Sequence, residues 1–272
     1  MSNFLEVDRY KQQVAAYFDS RTNYDRGEFH PQIAHLLLEY TQITKGKKVL
    51  DIATGTGLVA IEAAQLVGCQ GGVIGVDISP GMLKQGRSKI AQLGLKNIEL
   101  IEADAEALNF SQNSFELVLC CSALPYFTNI PNALYHWYSL LKSGGEIGLC
   151  VFSETSFIAG IVLQKVAKKY GLELPNWNEI TGNEQKCKTL LAAAGFQDIE
   201  VITKQVGNYL AWENLVTSWS KILKNPLYFQ FLKLDDRQLE KLKQDYFSEL
   251  KALSTNQGIW NDITTFLVFG RK

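Results

Sequence analysis

The chain has 272 residues, of which 46% are hydrophobic and 20% charged, so it holds material for a large core and gives no case for disorder. Twenty-seven basic residues stand against 28 acidic ones, for a net charge of −1. Such a chain has no long-range field to attract a phosphate backbone or an acidic membrane, so nucleic acid is not expected as a partner; a local patch is left open. No apolar run reaches the roughly 20 residues of a bilayer span, and Met1–Tyr10 lacks the layout of a signal peptide. Cys69, Cys120, Cys121, Cys150 and Cys187 contain no C-x-x-C pair. Neither a disulfide framework nor a metal knuckle fits that spacing, and a cytoplasmic location is expected.

In chain order, residues 1–45 form a polar-to-amphipathic leader ending in a helix over Pro31–Tyr40, with Ile33, Leu36, Leu37 and Tyr40 on its apolar face. Strands are predicted at Lys47–Ala53, Val73–Ser79, Ile98–Ala105, Phe115–Ser122 and Glu146–Ser153. Their near-continuous apolar character suits strands covered on both faces of a parallel sheet. Helical patterns over Leu58–Val67, Pro80–Leu93, Pro131–Leu141 and Ser156–Lys169 alternate with them. Asp198–Val206 and Thr264–Gly270 complete seven strands, and residues 207–260 between them are rich in aromatics. In that insert Leu239, Leu242, Tyr246, Leu250 and Leu253 recur as on one helix face. The pattern predicts a doubly wound α/β sheet in a single domain, 1–272: the leader, a core at 46–153, and 154–272 carrying the insert.

The sharpest local signal is Val49-Leu-Asp-Ile-Ala-Thr-Gly-Thr-Gly-Leu-Val-Ala60, an apolar strand that runs into a glycine turn and opens a helix. Gly55 and Gly57 let the backbone bend and a ligand approach where a Cβ would clash. Asp77 ends the next strand 20 residues past Gly57, where a carboxylate can accept both hydroxyls of a ribose; it could also simply close its own turn. Ser79 and Pro80 read as N-cap and first helical residue. Asp51 precedes Gly55 by four residues. An acid there repels the pyrophosphate that a dinucleotide brings to such a turn, whereas the ammonium and sulfonium of S-adenosylmethionine complement it.

These residues resemble motif I of the class I S-adenosylmethionine-dependent methyltransferases, D-x-A-x-G-x-G at Asp51–Gly57, with Ala53 where a glycine often stands. Val73–Ser79 resembles the family's acidic loop, Ile98–Phe110 with Ser114–Val118 the approach to the fourth strand, and Leu140–Ile147 its L-K-P-G-G turn, with Ser143 for proline. The nearest subgroup is the small-molecule type similar to the ubiquinone and menaquinone biosynthesis methyltransferases, and Tyr17–Asp25 is similar to its opening segment. The resemblance covers about residues 15–155 and implies a Rossmann-like sheet of order 3-2-1-4-5-7-6 with the last strand antiparallel. It also implies S-adenosylmethionine as cofactor and S-adenosylhomocysteine as product. Carried over, Ala53, Gly55 and Gly57 would line the methionine part, and Asp77 would bind the ribose. Ile78 and Met82 would pack on adenine, with Asp104 and the Ala105 amide at its edge. Cys121 would offer backbone near the sulfonium, and Tyr24 would close over the cofactor; ordinary helix core is the other reading of Met82.

Methyl transfer needs alignment and dryness more than it needs a base. His35 and His136 are expected on exposed helix faces, which leaves His30 as the one candidate base, with a turn or cap role as the alternative; no catalytic residue is assigned. Ser122-Ala-Leu-Pro-Tyr-Phe127 lacks the D/N-P-P-Y/F of base-nitrogen methyltransferases. The aromatic insert with Trp177 would suit a mostly apolar small acceptor, or simply glue its own packing. An NAD(P)-dependent oxidoreductase and a non-catalytic cofactor-binding module are the alternatives.

Overall fold

The computed structural model describes residues 2–22 and 24–272, without the side chains of residues 2–5; Asn23 of the leader motif and Met1 lie outside the described residues. The apolar runs become the strands β1 (Lys48–Ile52), β2 (Gly72–Asp77), β3 (Ile98–Glu102), β4 (Phe115–Cys121) and β5 (Leu141–Phe152). They pair in parallel, β1 lying between β2 and β4 with Asp51 opposite Gly75 and Leu119. With β6 (Gln197–Gln205) and β9 (Thr264–Arg271) they form a seven-stranded sheet of order β3-β2-β1-β4-β5-β9-β6, the last strand antiparallel. This is the doubly wound order expected. The seventh sheet strand in chain order is β9 because a short antiparallel strand pair, β7 (Asn208–Leu210) with β8 (Ile259–Asn261), intervenes unannounced by the sequence pattern.

The helices are α1 (Ser2–Asp19), α2 (Phe29–Tyr40), α3 (Leu58–Val67), α4 (Pro80–Leu93), α5 (Ile130–Leu140), α6 (Ile158–Lys168), α7 (Glu184–Ala193), α8 (Trp212–Lys224) and α9 (Asp236–Ala252). α3 and α4 have the predicted bounds, and the Ser79 hydroxyl caps α4 by accepting the Met82 amide at 3.1 Å. In α2 the buried face is Ile33, Ala34, Leu37 and Leu38, rotated from the expected one, with Leu36 and Tyr40 half-buried. β5 starts earlier than expected because the Lys142–Gly145 turn joins it through a register irregularity opposite Phe115–Leu117. Close packing is enforced where Gly75 and Gly86 stand: a Cβ on the first would lie 2.7 Å from the Thr54 hydroxyl, and on the second 2.6 Å from Leu100.

The chain divides into two compact units, Met1–Val151 with Glu184–Ile202 and Phe266–Lys272, and Phe152–Asn183 with Thr203–Thr265. The expected insert at 207–260 therefore folds together with residues 152–183. The second unit's core joins α6, α8 and α9 through Val162, Leu163, Trp219, Phe231, Leu242, Tyr246 and Leu250. α9 opens on a capping box, Asp235 and Gln238 satisfying each other's amides. Of its predicted face, Leu242, Tyr246 and Leu250 are buried and Leu239 partly so, while Leu253 caps the helix and is exposed.

The Tyr246 hydroxyl in that core finds no hydrogen-bond partner among the described residues. A buried hydroxyl left unpaired costs about 1–3 kcal/mol. Tyr246→Phe is therefore expected to raise unfolding stability by about 1 kcal/mol with an unchanged denaturant slope, measured by urea titration.

Candidate active site

The site is built where β1, β2, β3 and β4 all end on one edge of the sheet, as parallel strands place their following loops together. In the turn after β1, Ala53, Gly55 and Gly57 have φ of 51°, 56° and 79°. A left-handed conformation costs an L-residue about 1–2 kcal/mol, which explains why a glycine is the easier occupant at position 53. A Cβ on Gly55 would meet no protein atom within 4 Å; the turn leaves room there for a ligand. On Gly57 it would touch Ile61 at 3.3 Å, so this glycine serves the start of α3.

Asp77 holds the turn. Its Oδ2 accepts the Gly55 amide at 2.7 Å and its Oδ1 the Ser79 amide at 2.8 Å. Burial pushes its pKa up, opposed by the amides of Ser79, Gly55 and Ile78. The carboxylate thus closes its own turn and also faces a cavity of about 750 Å3, mouth included.

The cavity gathers nine of the eleven residues singled out in the sequence: Tyr24, Ala53, Gly55, Asp77, Ile78, Met82, Asp104, Ala105 and Cys121. Met82 is also almost fully buried in the core. Asp51 lines an adjoining smaller space together with His30 and Thr54, and this space shares Tyr24, Ala53, Gly55 and Cys121 with the first. Gly57 lines neither.

Sequence reasoning missed the rest of the wall: Lys11, Val14 and Phe18 from α1, Glu106, and Tyr126 and Phe127 after β4. The i, i+3, i+7 spacing of Lys11, Val14 and Phe18 is the available signal, weak because one of the three positions is a lysine. Lys11 bridges Asp104 at 2.6 Å and Glu106 at 3.0 Å. Asp19 at the end of α1 accepts the Ser79 hydroxyl at 2.6 Å and the Gly81 amide at 2.7 Å. Asp25 accepts the Thr56 hydroxyl at 2.6 Å and pairs with Lys89 at 2.7 Å. The leader is therefore stapled to each of the loops after β3, β2 and β1.

Asp51 is 1% exposed and accepts the Thr54 hydroxyl at 2.5 Å. Burial pushes its pKa up to about 7, against the bonds from Thr54 and the Ala60 amide. His30 stacks on Tyr24 at 3.9 Å, and burial, helped by Arg21, lowers its pKa to about 4, so its imidazole is neutral at physiological pH. Arg21 lies over the Tyr24 ring at 4.6 Å. His35 is exposed and pairs with Glu62, as expected of a solvated face. His136 departs from expectation: it is half-buried because its Nε2 meets the Leu108 carbonyl at 3.0 Å.

The Asp51 shift has a definite sign. Its folded pKa of about 7 lies above the ordinary 3.8, so between these values the folded state holds a proton the unfolded chain has released. Its contribution therefore lowers stability as pH rises through that window. His30 acts oppositely, its depressed pKa lowering stability as pH falls below 6.5. Comparing ligand-free wild type with Asp51→Asn isolates the first effect. The melting temperature of the variant is expected to gain on wild type from pH 5 to about pH 7 and to level off above it in thermal melts.

Lys11→Met leaves Asp104 and Glu106 facing each other uncompensated. Hydrogen–deuterium exchange of α1 amides is expected to quicken about threefold to tenfold while that of β1 and β4 amides stays unchanged.

A methyltransferase-domain family model matches residues 49–145, which spans β1 to the start of β5. The chain is 30% identical over 204 residues to the ubiquinone/menaquinone biosynthesis C-methyltransferase of Edwardsiella ictaluri, covering 68% of this chain and 80% of that protein. It is 37% identical over 159 residues to the aklanonic acid methyltransferase of a Streptomyces species, covering 57% and 71%. A putative methyltransferase from Bacillus halodurans shares the fold, with a TM-score of 0.59 at 21% identity over 89% of this chain and 99% of that one. With a glycine turn and acidic strand ends of this kind, the chain belongs to the S-adenosylmethionine-dependent methyltransferases. Within them it falls among the small-molecule enzymes.

Proposed function

We propose that this enzyme binds S-adenosylmethionine along the larger cavity and transfers its methyl group to a small, mostly apolar organic acceptor, a quinone precursor or secondary metabolite. The observation that carries this reading is the convergence of the nine residues on one cavity whose charged groups, Lys11 aside, are the carboxylates Asp77, Asp104 and Glu106. Such a wall suits a cationic nucleoside and repels a diphosphate.

The fit is chemical as well as spatial. Asp77 keeps a lone pair free beyond the amides of Gly55, Ser79 and Ile78, and this can take a ribose hydroxyl. Ile78 and Met82 supply an apolar wall for adenine, and Asp104 with the Ala105 amide stands at its edge. The open face of Gly55, with Ala53 and the Cys121 backbone, takes the methionine part, and Asp51 in the adjoining space answers its ammonium. Tyr24 and the α1 residues keep water out. When bound, the cofactor supplies an electrophilic methyl, and the protein's part is to align an acceptor behind it. Phe18, Tyr126 and Phe127 offer flat apolar surface for that acceptor. Relatives named for aklanonic acid and for ubiquinone/menaquinone C-methylation support an acceptor of this kind. Where the nucleophile carries a proton, neutral His30 is the nearest imidazole to receive it.

Isothermal titration with S-adenosylhomocysteine tests the cofactor assignment. Saturable binding is expected, weakened at least about tenfold by Asp77→Asn, with none for NAD+. Affinity is expected to be greatest near pH 7–8, where Asp51 is ionised and the ligand's amino group still protonated. A folded protein that binds NAD+ and ignores S-adenosylhomocysteine overturns the reading.

A further inference from the structure

The second unit carries an uncovered face that the cavity and its chemistry do not use. In α8, Leu215 and Trp219 turn into the core, with Trp212 and Ile222 packed against it. Val216 and Leu223, two turns apart on one stripe, remain 45% and 40% exposed. The chain then passes into 3-10 turns over Pro226–Lys233, where Phe229 and Leu232 are 52% and 87% exposed. Three-residue spacing in a 3-10 helix superposes such side chains. Single exposed apolar residues are ordinary; four large ones between Val216 and Leu232 are a concentration that asks for a partner.

Charge says which partner. Between Glu213 and Asp235 the chain holds Lys221, Lys224 and Lys233 and no acid, although its net charge is −1. All three lysines are exposed and none makes an ion pair among the described residues. A second copy docking through the same face would set lysine against lysine. A surface that is both apolar and negatively charged would satisfy Leu223, Phe229 and Leu232 together with the three lysines. Such a combination, apolar stripe beside basic residues, is how a helix lies in a lipid interface without spanning it.

We propose that the segment 216–233 docks this protein on an anionic lipid surface, with Leu223, Phe229 and Leu232 entering the headgroup layer and Lys221, Lys224 and Lys233 meeting lipid phosphates. This stands independently of the methyl-transfer reading. The local basic patch overcomes the neutrality of the whole chain only at close range, within a Debye length of about 10 Å.

Co-sedimentation of the full chain with vesicles tests it, using phosphatidylcholine alone and phosphatidylcholine with about one third phosphatidylglycerol. Binding is expected to the anionic vesicles at low salt, falling at least tenfold at about 0.5 M salt and on pure phosphatidylcholine. The triple variant K221Q/K224Q/K233Q should lose about tenfold or more, as should F229S/L232S, with melting temperatures unchanged because every altered side chain is exposed. No binding to anionic vesicles at low salt, equal binding by both variants, or a dimer in sedimentation equilibrium that F229S/L232S dissolves would each overturn the proposal.

Discussion

The site rests on one carboxylate. Asp77, at the end of β2, bonds the Gly55 amide of the neighbouring turn and the Ser79 amide of its own. Parallel pairing of β1 with β2 brings the two turns to the same edge, and the carboxylate then fixes their separation. Because it is buried, its ionised form depends on those amides. The same group that shapes the empty turn is placed to receive a polar ligand, so structure and recognition draw on a single set of lone pairs.

Around this point the charges are mostly acidic. Asp51, Asp77, Asp104 and Glu106 lie on the two adjoining spaces, with Lys11 the one cationic side chain lining them among the described residues. Burial pushes the pKa values of Asp51 and Asp77 up, and the Asp77 charge adds to the rise at Asp51. A positively charged ligand therefore relieves the site, and an anion would aggravate it. The neutral imidazole of His30 fits the same logic, since burial beside Arg21 disfavours a further positive charge where protein, and not ligand, would supply it.

What the sequence disclosed was whatever periodicity and turn chemistry determine. Val, Ile and Leu runs located β1 to β4, and the Ser79–Pro80 signal placed the start of α4 to the residue. The spacing from Gly57 to Asp77 identified the pair of turns that the structure brings together. Hidden were features set by tertiary contacts. α1 is polar on much of its surface because its function is to reach Asp104 and Glu106 through Lys11, not to bury a broad apolar face. The β7–β8 pair is three residues per strand, too short for alternation to show. The role of Asp51 as a neighbour of the main cavity could not be read from its distance to Gly55 along the chain, since that turn reverses direction between them.

The three leader staples join residues separated by 93, 60 and 31 positions, Lys11 to Asp104, Asp19 to Ser79 and Asp25 to Thr56. Each anchor point exists only after the corresponding strand has taken its place in the sheet. None of the three staples can therefore form before the strand that carries its anchor is paired. A chain cut behind Asp25 would lose Lys11, Val14, Phe18 and Tyr24, and with them one wall of the chamber, while keeping the residues of the sheet and the glycine turn.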